Sequence, residues 1–154
     1  MNTYRTFFAF TIALGFTFMI AYVTGLAIDA SAPFYKAVSL TLPKLPSPTI
    51  FTAIWISVYV LAVTLITISL NYRCLRKALP KWGAVGVLNV LWGFGVFKFE
   101  LTYFGLIILI LAVVILINVT WFYIKNTRYA WIICLPILCT YILATAINLL
   151  IILH

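Results

Sequence analysis

Phe51, Trp55 and Tyr59 recur at intervals of four residues within one apolar run. Residues four apart share a face of an α-helix, so these rings form one aromatic stripe. Such a stripe either packs in a core or forms a flat π-wall, the surface that suits a planar apolar ligand. Offset stacking contributes about 0.5–1.5 kcal/mol per ring pair beyond burial. In a second apolar run Asn89 and Trp92 share a face at a spacing of three, and in a third Thr140, Ala144 and Asn148 form a small and polar stripe. Polar side chains inside apolar spans face a bundle interior or a cavity. For Asn89 and Asn148 the alternative role is interhelical hydrogen bonding.

Other chemistries find little material. Asp29 and Glu100 are the only side-chain carboxylates, and both sit at the ends of apolar runs. Neither has an evident general-acid or general-base partner. His154 is the only histidine, and the cysteines are Cys74, Cys134 and Cys139. An odd cysteine count without paired spacing is neither a disulfide framework nor a zinc site; the two in the last run read as small apolar packing residues. No metal site and no protein-ligated haem site is expected. Gly93-Phe94-Gly95 lies within an apolar run, where it cannot act as a phosphate loop. Gly83, Gly86 and Gly93 form a small face that admits a close helix neighbour, expected within the chain, with a homodimer partner as the other candidate.

These residues need apolar elements to hold them, and the composition supplies them. Hydrophobic residues make up 66% of the 154 residues and charged residues 8%, and the mean hydropathy is +1.22. A soluble domain is about half apolar and a quarter charged, so this chain cannot cover a surface in water. It reads as one all-α integral membrane domain over residues 1–154, a bundle of five transmembrane helices at about 7–28, 49–70, 82–99, 101–124 and 129–153. Each run has roughly 18–25 residues, enough to cross a hydrocarbon core of about 30 Å. Ala30-Ser31-Ala32 fits a signal-cleavage pattern, but the preceding apolar stretch is about twice the usual length of a signal core. It is read as the first span.

With five spans, Arg5, Arg73, Arg76, Lys77, Lys81, Lys125 and Arg128 share one side, against Lys36, Lys44 and Lys98 on the other. The excess makes the first side cytoplasmic, with the N-terminus inside and the C-terminus opposite. The net charge of +8 is thus a topology signal, and no nucleic-acid partner is expected. Trp82, Trp121 and Trp131 lie near run ends and fit interface anchors; Trp55 and Trp92 lie deeper and fit ligand contact. Between the first two runs, at about 29–48, Pro43, Pro46 and Pro48 stiffen the chain by fixing φ and biasing the preceding residues to extended geometry. A loop so ordered can act as a lid over the bundle mouth. A plain connector is the alternative. Pro48 and Thr49 suit a helix start.

In this order and spacing the residues resemble the TspO/translocator-protein family, the tryptophan-rich sensory proteins also called peripheral benzodiazepine receptors. Phe34-Tyr35 stands where the family has Trp-Tyr. The proline segment then leads into Phe51-x-x-x-Trp55-x-x-x-Tyr59, Leu88-Asn89-x-x-Trp92 is followed by Phe97, and Pro136, Ala144 and Asn148 keep the spacing of the family's last helix. The chain departs from the family at the paired prolines, here Pro46-Ser47-Pro48, and at Ile137, Thr140 and Leu143, where tyrosine, tryptophan and phenylalanine are expected. It is a divergent member by this likeness.

The resemblance implies a membrane ligand-binding protein, of a bacterial cell membrane, with a receptor, transport or stress-regulatory role. Its ligands would be porphyrins such as protoporphyrin IX or haem, or sterols, and no cofactor is required. Phe34, Tyr35, Pro46, Phe51, Trp55, Tyr59, Asn89, Trp92, Phe97, Thr140, Ala144 and Asn148 are the implied ligand-binding residues. Light-driven oxidative degradation of porphyrin is the alternative activity, and the missing fifth-helix tryptophan argues against it. A small enzyme of lipid or isoprenoid metabolism would need more acids or histidines. Val119-x-x-x-Tyr123-x-Lys125 has a sterol-type spacing, but aromatics beside a lysine at a helix end are ordinary interface chemistry.

Overall fold

The computed structural model describes residues 3–29 and 47–153. Phe34, Tyr35, Pro46 and nearly all of the expected lid lie outside the described residues. The described chain is helical from end to end: α1 (Thr3–Asp29), α2 (Pro48–Asn71), a 3₁₀ helix (Arg73–Ala78), α3 (Leu79–Trp92), a π-helical segment (Gly93–Lys98), α4 (Thr102–Asn126) and α5 (Ala130–Leu153). Helices are what such a sequence can form in lipid, because each satisfies its own backbone groups. α1, α2, α4 and α5 are each long and apolar enough to cross a membrane.

The expected third span is built in two pieces. α3 has 14 residues and rises only about 21 Å. The π segment prolongs it to Lys98. Past that segment the Phe99 amide donates to the Phe94 carbonyl at 3.0 Å and the Leu101 amide to Gly95 at 2.8 Å. Glu100, with φ 57°, then turns the chain into α4 through a left-handed conformation that disfavours a side chain. The start of α2 follows its sequence signals. Ser47 caps it by accepting from the Ile50 amide at 3.4 Å, with proline in the first turn.

α1 packs on α2, α2 on α5, α5 on α4, α4 on α3, and α3 with its π continuation returns to α1, so the helices close a ring. Leu65, Leu109, Leu116, Val119 and Ile137 are fully buried at its centre. Glycines set the closest approaches. A Cβ on Gly86 would meet Ile20 Cδ1 at 2.3 Å, and one on Gly93 would meet Thr24 Cγ2 at 2.8 Å. The expected small face of α3 is therefore covered by α1 at these two positions. Gly83 has nothing within 4 Å and is not part of that contact. A Cβ on Gly105 would meet Val96 Cγ2 at 2.1 Å and Asn148 Nδ2 at 3.1 Å, which fixes α4 against the π segment and α5.

The tryptophans divide differently from the sequence expectation. Trp121 is exposed and fits an interface anchor. Trp131 is half-buried and donates to the Arg128 carbonyl at 3.1 Å. Trp82 is no anchor: it is buried and its indole N–H donates to Tyr123 Oη at 2.9 Å. Its place near a run end misleads because the side chain turns into the bundle, against Tyr123 of α4 and beside the space lined by Ile66 and Ile137. Cys134 is buried as a packing residue, but Cys139 is exposed.

Candidate functional site

The aromatic stripe of α2 meets the end of α3 at one place. Trp55 lies with its ring centroid 5.2 Å from Trp92, 5.4 Å from Tyr141, 6.1 Å from Tyr59 and 6.2 Å from Phe51. Trp92 meets Phe97 edge-on at 5.2 Å, and Phe97 closes back on Phe51 at 6.1 Å. All these separations fall within the 4.5–7 Å range of favourable aromatic pairs. The π segment brings Phe97 back onto Trp92. Phe51, Trp55, Tyr59, Trp92 and Phe97, expected from the sequence as ligand contacts, thus form one cluster.

Asn89 holds the polar edge of that cluster. Its Nδ2 donates to Tyr59 Oη at 2.8 Å and faces Thr24 Oγ1 at 3.4 Å, while its Oδ1 accepts from the Tyr141 hydroxyl at 3.2 Å. One amide therefore joins α1, α2, α3 and α5. Asn89 is buried, at 2% exposure, so each bond satisfies a group that lipid or apolar packing would leave orphaned. This is the hydrogen-bonding role the sequence left open.

Beside the cluster is a cavity of about 240 Å³, walled by Thr24 and Gly25 of α1, Phe51, Trp55 and Tyr59 of α2, and Trp92 of α3. Thr52 and Ile56 also line it and are exposed, so it opens at the side of α2. A smaller space of about 30 Å³ lies on the far side of Tyr59 and Asn89, between Phe16, Val85 and Ile137. Tyr59 contributes to both walls. The Trp92 indole N–H is buried and has no hydrogen-bond partner among the described residues. The adjacent ring carbon, Cδ1, lies 3.5 Å from where a Cβ on Gly105 of α4 would stand, so that edge of the indole faces α4, and the polar groups of the cavity wall are those of Thr24, Thr52 and Tyr59.

The remaining expected residues sit elsewhere. Thr140 is half-exposed and its hydroxyl donates to the Pro136 carbonyl of its own helix at 2.9 Å. Ala144 is half-buried against the core. Asn148 is buried and donates to the Thr102 carbonyl at 3.4 Å, an interhelical bond between α5 and α4. The inward face of α5 runs through Ala130, Cys134, Ile137, Tyr141 and Asn148. Tyr141 stands seven residues from both Cys134 and Asn148 and so shares their face, but nothing in the sequence marks that face as the inward one. Of the expected stripe, Asn148 lies on the inward face, while Thr140 stands one residue away from it.

A second buried polar group lies toward the other end of the bundle and was also missed. Tyr123 Oη bonds Ser69 Oγ at 2.7 Å and accepts from Trp82, and Thr120 Oγ1 donates to Cys134 Sγ at 3.1 Å. Among the described residues no group of three His, Cys, Asp or Glu side chains is placed to hold a metal. Set against models of known protein families and against curated proteins, the chain matches none.

Proposed function

We propose that this chain is a divergent TspO-like membrane protein that binds a planar apolar ligand, of porphyrin class, in the cavity beside Trp55. The observation that supports it is the convergence of Phe51, Trp55, Tyr59 and Trp92 from separate runs around one cavity with a side opening, with Phe97 packed behind Trp92 and Phe51. Ligand sites are mostly apolar with a few placed polar groups, and here Thr24, Thr52 and Tyr59 supply them. The cavity is smaller than the roughly 300–1,000 Å³ of drug-sized sites. It takes the edge of a macrocycle, and the rest would extend past Thr52 and Ile56.

α3 and its π continuation supply a fifth span in this reading. The ends carrying Arg73, Arg76, Lys77, Lys81, Lys125 and Arg128 then face the cytoplasm. Cys74 is exposed on the 3₁₀ helix between them and is a native reporter. In a Cys139→Ala background, a membrane-impermeant maleimide is expected to label it only after cells are opened. Labelling in sealed cells would reverse the orientation.

Titration of the purified protein with protoporphyrin IX tests the ligand. Saturable quenching of tryptophan fluorescence is expected, with porphyrin absorbance stable in the dark and in light. Loss of the porphyrin bands only in light with oxygen would instead make the chain an enzyme. Absence of saturation would remove porphyrin as the ligand class.

A further inference from the structure

We propose that the outer seam between α3 and α4 at the basic end is a binding site for the headgroup of an anionic phospholipid. The seam is built from Lys81 of α3 and from Asn118, Trp121, Phe122 and Lys125 of α4. On α4 these residues follow a helical repeat of three to four, so they line one face. Asn118, Trp121 and Lys125 are exposed on it, and Phe122 is half-buried.

Lys81 is the unusual member. Its Nζ donates to Asn118 Oδ1 and lies 5.4 Å from the centroid of the Phe122 ring. Asn118 stands eight residues before the end of α4, about 12 Å along the helix. Lys81 is therefore tied to an amide on the outer, apolar face of the bundle. An ammonium held beside hydrocarbon needs a counter-charge or a path to water. The chain supplies no counter-charge there: its side-chain carboxylates are Asp29 and Glu100, at the far end of α1 and just past the π segment. Asn118 satisfies a hydrogen bond but carries no charge.

The surroundings complete a headgroup site. Lys125 Nζ lies 5.0 Å from the Trp121 ring, a cation beside the type of ring that favours the interface. The 3₁₀ helix packs against α4 at the same end and exposes Arg73, Arg76 and Lys77. A phosphodiester seated on the seam would meet Lys81 and Lys125, and the Asn118 amide N–H₂ has donors to give it. Its acyl chains would run along the exposed apolar residues Val114 and Ile117 of α4. This inference uses the membrane reading but not the identity of the cavity's ligand.

The test uses the full chain in bilayers and follows Trp121, read as the difference in fluorescence between the chain and its Trp121→Phe variant. Brominated phosphatidylglycerol is expected to quench Trp121 at a several-fold lower mole fraction than brominated phosphatidylcholine. A cation near the surface is worth roughly a fivefold preference, so Lys81→Gln should lower the preference by about that factor. Asn118→Leu keeps every charge and suits a lipid-facing position, and should lower it about threefold through the lost hydrogen bond. Lys98→Gln, beyond the π segment, should leave it unchanged, and inorganic phosphate should not reverse the quenching. Equal quenching by the two lipids would overturn the site. So would equal losses in Lys81→Gln and Lys98→Gln, which would mean general surface charge, or reversal by inorganic phosphate, which would mean a small-anion site.

Discussion

Trp55→Ala is expected to weaken protoporphyrin IX binding roughly thirtyfold, the effect of losing about 2 kcal/mol at an aromatic anchor. Trp55 touches Phe51, Tyr59, Trp92 and Tyr141 and walls the cavity. Truncation removes one of the two indoles that wall the cavity. The same contacts hold the core together, so Trp55→Phe is the partner variant: it keeps a ring and should lose several-fold less affinity. Trp131→Ala is the control, because Trp131 bonds the Arg128 carbonyl at the other end of the bundle and does not line the cavity. Quenching titrations, corrected for each lost tryptophan signal, decide between the variants. Equal affinities for Trp55→Ala and Trp131→Ala, with both proteins monodisperse and helical, would make Trp55 ordinary core.

Asn89→Leu is expected to lower stability by about 2 kcal/mol. Interhelical hydrogen bonds in membrane proteins average about 0.6 kcal/mol each and reach about 1.7. Asn89 makes contacts with Tyr59, Thr24 and Tyr141, and leucine strands all three hydroxyls without filling the same shape. Thermal unfolding in detergent should shift down by several degrees. Thr140→Val should shift it little, since Thr140 bonds only its own helix and surface substitutions usually stay within about 0.5 kcal/mol. Ligand affinity should fall with Asn89→Leu, because Tyr59 loses the bond that sets its angle at the cavity wall, and should not change with Thr140→Val. A Thr140→Val variant as damaged as Asn89→Leu would place the polar centre of the bundle on the wrong face of α5.

The sequence by itself determined the solvent, the helical class and four of the long apolar helices. Those follow from composition and from run length against the bilayer, and need no knowledge of what packs on what. It also determined the aromatic stripe of α2 and the pairing of Asn89 with Trp92, because spacing within one helix is a local property. The start of α2 at Pro48 belongs with these, since the fixed φ of a first-turn proline needs no partner helix.

Which faces meet was decided only by the tertiary structure. Thr140 and Tyr141 are neighbours in sequence, and a helix apolar all round gives no signal for which of them turns inward. The ring closure chose Tyr141, because α5 packs between α2 and α4 and its inward face runs through Cys134 and Asn148. Trp82 reads as an interface anchor from its position, but the packing of α3 on α4 buries it against Tyr123. The π segment, too, depends on packing: Gly93 against Thr24 and Gly95 against Phe104 leave no room for side chains, and the wider turn brings Phe97 back onto Trp92. The cavity beside Trp55 exists only because α1, α2 and α3 are brought to one place, a relation among distant segments that periodicity within each segment cannot encode.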